Sequence, residues 1–509
     1  MTTRYITTPI YYLNGEPHLG HVYTTIAADV LARYWRLAGA KVKFLVGTDE
    51  HGQKVAQAAN GAGESPTTYV DRMSKLFLDM THKINASNDV FIRTTETRHH
   101  KAAQALWRKL VQAGQIYEST YAGWYAVRDE AYVEESEIVE GKAPSGAEVE
   151  WMEESSYFFR LSEWERPLLD YYEENPGAIA PVSRRNEVLS FIKGGLRDLS
   201  VSRTKFTWGI AVPDNPQHVM YVWIDALTNY ITALGYPNIE GEEFKAYWPE
   251  SIHLIGKDIL RFHAVYWPAF LMAAGLRPPK RIFAHGWLTC EGEKMSKSLG
   301  NVVDPFKLIE IYGLDPVRYF LMREIPFGQD GTYSDTALIQ RINSDLANDL
   351  GNLVQRVLSF IDKNAGAQIP EPHEFLGVDQ EILAKAAHLH DLLRGDMEIQ
   401  ALQSYCQHIW EVVAEANRYV DSQKPWTLKK SSDPQDHLRM KTVLYVLGEV
   451  IRHIAIYVQP LMPESASKIL DQLGQKGRSF ESLKTPLKAG TSLGEPQPIF
   501  PRVEKEKAE

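Results

Sequence analysis

Three features of this 509-residue chain predict an α/β fold: a doubly wound parallel sheet with an inserted α+β connective module and a C-terminal all-α helix bundle. Residues 1–117 alternate strand-like apolar runs with amphipathic helical stretches, the pattern of βαβ units. Between 118 and 215 the composition turns to aromatics, acids, Gly and Pro with short alternating runs, which reads as a separate module. From 341 to 475 apolar residues recur three and four apart, as in packed helices.

Taken in order, Tyr5 to Thr8 read as a buried strand and Pro9 to Pro17 as a turn-rich connection. Leu19, Val22, Ile26, Val30, Tyr34 and Leu37 form one helical face ending at Gly39. Phe44-Leu45-Val46 is the next strand. Gly123 to Val127 and Ser156 to Arg160 alternate within the module. Val219 to Trp223, Ser251 to Ile255 and Ile282 to Ala284 then predict strands of the second half of the sheet. Helical faces follow at Leu346, Leu350, Leu353, Val357 and Phe360, at Leu402, Tyr405, Ile409, Val413 and Ala416, and at Met440, Val443, Leu447, Val450 and Ile454. The expected domains are 1–117 and 216–290 for the two halves of the sheet domain, 118–215 for the module, 291–340 for a connecting region, 341–475 for the bundle and 476–509 for a tail. From Lys484 onward, prolines and a charged end predict a tail that is only partly ordered.

At 57.8 kDa the chain exceeds what one core supports. Hydrophobic residues make up 44% and charged ones 24%, and no stretch approaches the roughly 20 apolar residues of a membrane span. Met1-Thr2-Thr3-Arg4 runs into a strand without a signal peptide, so a cytoplasmic protein is expected. The two cysteines, Cys290 and Cys406, exclude a disulfide framework and a cysteine-rich zinc knuckle, so no structural zinc is expected. A net charge of −10 argues against a generic nucleic-acid coat. A nucleic-acid partner must then meet a local surface. The stretch from Lys424 to Lys441, with Lys429, Lys430 and Arg439, reads as such a basic surface or as a solvated helix end.

Two short motifs carry the chemistry. His18-Leu19-Gly20-His21 places two histidines three apart at a helix start, near its positive dipole end, and Gly20 lets a phosphate or nucleoside approach the backbone. Lys294-Met295-Ser296-Lys297-Ser298, framed by Gly292 and Gly300, sets two ammonium groups and two hydroxyls in five residues, a loop suited to a polyphosphate. Each motif alone also fits a solvated helix start or an exposed polar turn. In this order, each after a strand-like run, the pair resembles the signature motifs of the class I aminoacyl-tRNA synthetases, which implies a Rossmann-type catalytic domain.

The flanking residues narrow the resemblance. Thr8 to Gly15, Gly47-Thr48-Asp49-Glu50-His51-Gly52, Tyr221 to Asp225, Gly256 to Ile259, Phe262-His263, His285-Gly286-Trp287, Asn352 to Arg356, and Asn417 to Tyr419 with Pro425-Trp426 are similar to the methionyl-tRNA synthetases over nearly the whole chain. The resemblance assigns His18 and His21 to the phosphates and transition state and Lys294 and Lys297 to pyrophosphate. It extends the ATP site to Gly20, Gly256, Asp258, Leu288 and Ser296. Asp49 matches the carboxylate that binds the methionine ammonium. Ile10, Trp223, Leu227, Tyr230, Ile259, Phe262 and His263 match the side-chain pocket, although Trp223 and Tyr230, seven apart, equally read as a core stripe. Position 227 is often proline in the family, so leucine there leaves the pocket wall open. Asn352, Arg356 and Trp426 match the readers of the CAU anticodon, where amides and guanidinium meet base edges and an indole stacks. By spacing alone they are a polar helix flank and a core Trp after a proline turn.

The implied reaction joins L-methionine and ATP, with Mg²⁺ on the phosphates, to methionyl-adenylate and then charges initiator and elongator methionine tRNAs, for translation initiation and elongation. Residues 291–340 then hold the KMSKS loop and a stem-contact region. Where many relatives carry zinc knuckles, Tyr125 to Glu130 contain no cysteine. Packing of Trp124, Tyr125, Tyr132, Trp151, Tyr157 and Phe158 is expected to order the module instead. The absence of an appended dimer module implies a monomer. A small-molecule nucleotidyltransferase or a catalytically silent tRNA-binding paralogue are the rival readings. Intact His18, His21, Lys294 and Lys297 argue against the silent one.

Overall fold

The computed structural model describes residues 2–126, 131–133, 135–290, 292–294 and 303–504. The chain separates into two compact units, one of Thr3–Pro17 and Lys43–Ala284, the other of Met1–Thr2, His18–Val42 and His285–Glu509.

The chain begins with strands β1 (Thr3–Thr7) and β2 (Tyr11–Tyr12), helix α1 (Leu19–Leu37), β3 (Lys41–Asp49), α2 (Gln53–Gly61), α3 (Pro66–Lys83), β4 (Val90–Arg93) and α4 (Thr97–Gln112). The module follows with β5 (Ile116–Ala126), β6 (Ala131–Val133), β7 (Val149–Phe159), α5 (Glu165–Glu174), β8 (Ile179–Ala180), α6 (Val182–Lys193) and β9 (Leu199–Ser200). Next come β10 (Ser202–Arg203), β11 (Ala211–Val212), β12 (Asn215–Met220), α7 (Val222–Thr232), α8 (Glu242–Tyr247), β13 (Ser251–Gly256), α9 (Trp267–Ala273) and β14 (Arg281–His285).

The first unit is built on a seven-stranded sheet of order β2-β3-β1-β13-β14-β8, with β4 also on β3. The β1–β13, β2–β3, β3–β4 and β14–β8 pairs are parallel. Tyr5, Ile6, Phe44 to Val46, Leu254, Ile255 and Ile282 are buried, as befits strands covered on both faces. β5 and β7 pair antiparallel along their whole length, from Ile116 opposite Phe159 to Ala126 opposite Val149. Trp124 meets Trp151 edge-to-face at 5.5 Å, Tyr117 stacks on Phe158, and Tyr125 is buried. Tyr132 lies in β6, paired with Tyr125.

Two expectations are corrected here. Val219 to Trp223 is not a strand of the parallel sheet: Val219 and Met220 end β12 in a separate sheet beside β10 and β11, and α7 begins at Val222. A short apolar run has no period to decide its class, and the residues that show helical spacing here, Asp225, Thr228, Asn229 and Thr232, lie beyond it and are buried. The span 118–215 is not wholly a separate module either. Its β8 pairs with β14, so Ile179 and Ala180 extend the central sheet.

The second unit contains α1, a small sheet of β15 (Leu288–Cys290), β16 (Glu293–Lys294) and β17 (Gly331–Tyr333), and then helices only. These are α10 (Pro305–Tyr312), α11 (Leu314–Glu324), α12 (Asp335–Arg341), a π-helical stretch Ile342–Gly351, α13 (Asn352–Asn364), α14 (Gly377–Glu398), α15 (Leu402–Gln423), α16 (Pro425–Leu428), α17 (Pro434–Val458) and α18 (Pro463–Gln472). The predicted apolar faces of α15 and α17 are buried throughout, while on α13 Leu358 and Ile361 take the interior and Phe360 is half-buried. Helix α1 belongs with these helices: Asp29 is paired at 2.6 Å with Arg318, both fully buried, and the same guanidinium holds the Leu461 and Pro460 carbonyls. The tail is described to residue 504, and there it packs on the bundle; its last residues lie outside the described ones. Leu487 and Phe500 are buried, Tyr445 donates to the Leu487 carbonyl, and the Asn343 amide holds Val503 through both its N–H and its carbonyl. These anchors hold a proline-containing segment, in which proline lowers the entropy lost on ordering.

Candidate active site

His18 is the N-cap of α1. Its Nδ1 accepts the Gly20 N–H at 3.1 Å, and His21 Nδ1 accepts the His18 N–H at 3.1 Å, so the two rings form a reciprocal capping box. They stack with centroids 3.7 Å apart. With Nδ1 accepting, each neutral ring carries its proton on Nε2, which makes both Nε2 atoms donors for an anion. Burial holds His21 well below its ordinary pKa, and a proton on the neighbouring His18 would lower it further. A Cβ at residue 20 would lie 3.0 Å from the His18 ring, so a side chain there would press on the ring. Behind the pair, Thr24 Oγ1 bonds His285 Nε2 at 2.7 Å, and Tyr23 packs edge-on to His285 and Phe327.

Gly286 passes so close to Gln329 that a Cβ would lie 2.2 Å from its backbone, and Leu288 follows in β15. Lys294 closes the hairpin, its backbone paired with Thr289. Met295, Ser296, Lys297 and Ser298 lie outside the described residues.

In the other unit Asp49 ends β3 opposite Tyr12 and is 6% exposed. Gly256 ends β13 and Asp258 is exposed on the short turn that follows. Trp223 lies flat on Phe262, ring centroids 3.6 Å apart at 8°. His263 Nδ1 bonds the Ile259 carbonyl at 2.9 Å and must donate there, so its Nε2 accepts from the Tyr230 hydroxyl at 2.8 Å. Burial lowers the His263 pKa to about 4 and keeps the ring neutral. Tyr230 also stacks on His253, whose Nδ1 bonds Thr7 across the β1–β13 pair. Ile10 is half-buried, and a Cβ on Gly47 would press on it at 3.0 Å. Leu227 is buried in the core cluster. Of the two residues that also read as a core stripe, Tyr230 is buried, whereas Trp223 is only half-buried.

Sequence reasoning missed the support beneath this set. Asp225, fully buried, accepts from His51 Nδ1 at 2.6 Å and His99 Nε2 at 2.7 Å. Burial alone would raise this carboxyl, yet the charges and hydrogen bonds of His51 and His99 hold it well below the usual carboxylate range. Glu50 binds Arg93, Thr48 and Thr95. The partners are far apart in the chain, and no local pattern announces them.

On α13 Asn352 is exposed, and Arg356 one turn on pairs with Asp421 at 2.9 Å with its guanidinium 5.0 Å over the Trp426 ring. Arg356, Phe360, Val420, Pro425, Trp426 and Leu444 line a cavity of about 120 Å³. Arg439 does not contribute to a basic surface as expected: it is turned inward onto the buried Asp379 with both terminal nitrogens, and Tyr419 and the Leu376 N–H also donate to that carboxylate. Lone surface charge is cheap to solvate, but Asp379 inside the bundle requires a cation.

The family description "tRNA synthetases class I (M)" matches residues 4–148 and 145–358, and "Anticodon binding domain of methionyl tRNA ligase" matches 369–509. The chain belongs to the methionine-type class I tRNA synthetases. Within this synthetase family, the Methionine–tRNA ligase of Brucella suis biovar 1 is 56% identical over 98% of the chain and 97% of the relative. That of Mycobacterium tuberculosis H37Rv is 53% identical over 99% and 98%. The structure of Mycobacterium tuberculosis methionyl-tRNA synthetase in complex with methionyl-adenylate superimposes with a TM-score of 0.97, 53% identity, 99% of this chain and all of that one; the free-state structure gives 0.90 and 49%, covering 99% of each chain. The Rossmann-type fold with its helical C-terminal region is the fold of this synthetase family. Among the described residues no group of three or more metal-binding side chains assembles, and no helix is long and apolar enough to cross a membrane.

Proposed function

We propose that the chain activates L-methionine with ATP to methionyl-adenylate and pyrophosphate, then transfers the methionyl group to the 3′-terminal ribose of initiator and elongator methionine tRNAs. The observation that carries this is the near-full-length correspondence to a synthetase structure described with methionyl-adenylate. The methionine carboxylate, ionised at neutral pH, attacks the α-phosphorus in line; a P–O bond forms to it as the bond to pyrophosphate breaks. No general base is needed. Catalysis therefore rests on positioning and on charge neutralisation.

The capped histidines supply two N–H donors at the helix start for phosphate oxygens, His18 and His21 with Gly20 between them. Lys294, Ser296 and Lys297 take the pyrophosphate charge, and Gly256, Asp258 and the backbone at Leu288 the nucleoside, with Mg²⁺ arriving on ATP. Asp49 holds the ammonium. Trp223, Phe262, Ile259 and Ile10 face the thioether, backed by Tyr230, His263 and Leu227, since sulfur favours aromatic contact. Asn352, Arg356 and Trp426 read the anticodon.

The domain limits set out from the sequence serve as the working division, with β8 added to the sheet domain. The module works without structural zinc, since the chain's two cysteines lie elsewhere. The protein acts in the cytoplasm as a monomer, and light scattering at assay concentration giving twice the chain mass overturns the monomer.

ATP–pyrophosphate exchange across a panel of amino acids tests the whole reading. Exchange should depend on methionine. Exchange driven by another amino acid, or by none, overturns it.

A further inference from the structure

We propose that Asp225 is a positioning residue for methionine, holding the ammonium-binding turn at a fixed distance from the aromatic wall of the side-chain pocket. The inference rests on the reading of Asp49 and Trp223 given above. Asp225 sits on α7 two residues after Trp223 and two before Leu227. His51 sits in the turn after β3, two residues after Asp49. One carboxylate oxygen takes the His51 Nδ1–H at 2.6 Å, and the other takes His99 Nε2–H from α4 at 2.7 Å. The bond between Asp225 and His51 thus links the turn that carries Asp49 to the helix that carries Trp223.

The rest of the turn is held as closely. Glu50 accepts both Arg93 nitrogens at 2.7 and 2.9 Å, its carbonyl accepts the Trp208 indole N–H at 2.6 Å, and the Gly52 N–H bonds the Trp208 carbonyl. A fully buried carboxylate is unfavourable unless both oxygens are satisfied, and apolar packing would hold α7 to α4 as well. What apolar packing does not supply is direction. The His99 bond fixes the carboxylate and the His51 bond ties the turn to it, which holds the turn against sliding along α7, and a ligand gripped at both ends is sensitive to such sliding. An ångström of misplacement weakens binding or rate by as much as roughly a hundredfold.

The experiment measures exchange kinetics with methionine and with ethionine, one methylene longer. Asp225→Asn leaves one oxygen for two N–H donors, and His51→Ala removes one donor. Either variant should raise the methionine KM on the order of tenfold or more while the ATP KM stays within about twofold, and should erode the preference for methionine over ethionine. His51→Asn restores an N–H close to the place of Nδ1 and should recover most of the loss. This variant keeps the test decisive if Asp225→Asn does not fold. An unchanged methionine KM in folded His51→Ala, equal rises for methionine and ATP, or no recovery in His51→Asn overturns the positioning role. Wild-type protein without methionine-dependent exchange overturns the functional reading instead.

Discussion

The proposed methionine site and the proposed anticodon face are both rich in aromatic and hydrogen-bonding groups, and they are built in opposite ways. Tyr230, His263 and Asp225 are themselves buried, and the Tyr230 hydroxyl, the His263 Nδ1–H and the His51 Nδ1–H each meet a defined acceptor. Around Arg356 and Trp426 the groups are half-exposed, with a surface ion pair to Asp421 and a cation–π contact as partners. A small ligand must be gripped by groups already oriented, because it brings little contact area to order them. An unstacked base brings its own large face, so planar groups at the surface with replaceable partners suffice. The lesson is that pre-organisation scales inversely with the area the ligand offers.

The sharpest way to break this comparison is at Asp49. Asp49→Asn should weaken methionine binding by about 3–5 kcal/mol, the range for a buried charge deprived of its counter-ion. Calorimetry giving near-normal affinity would place the ammonium elsewhere. Next in size is acid. The folded pKa of His263 is about 4, against 6.5 for the free side chain, so the unfolded chain takes up the proton first. Stability is therefore full above pH 6.5 and falls as the pH drops toward 4, by about 3 kcal/mol from this residue alone. Burial shifts His253 and His21 the same way. Denaturant midpoints at pH 7 and 4.5 measure the loss, and equal stability at the two values would mean that these rings are not held neutral. The smallest effect is expected at Trp426. Trp426→Ala should cost about 1–3 kcal/mol in tRNA recognition and leave tRNA-independent exchange intact. A folded variant that charges tRNA normally would remove the indole from anticodon reading, and one that loses exchange equally would erase the contrast between the two surfaces.

Much of the molecule was legible in the residues themselves. Helix α1 follows from its apolar spacing and its Gly39 stop, β1, β3, β13 and β14 from short apolar runs, and α15 and α17 from stripes three and four apart, because local periodicity reports which face is buried. The two ATP-signature motifs and Asp49 stand out through the resemblance their order carries. Tertiary structure decided the rest. It made α7 a helix where an apolar run had no period, drew β8 from the module into the central sheet, and turned Arg439 inward to Asp379. It also decided the tautomers of His18, His21 and His263, and joined Asp225 to His51 across 174 residues of chain. Periodicity is a property of neighbours along the chain, whereas satisfying a buried charge or a ring nitrogen depends on whatever atom the fold brings to it.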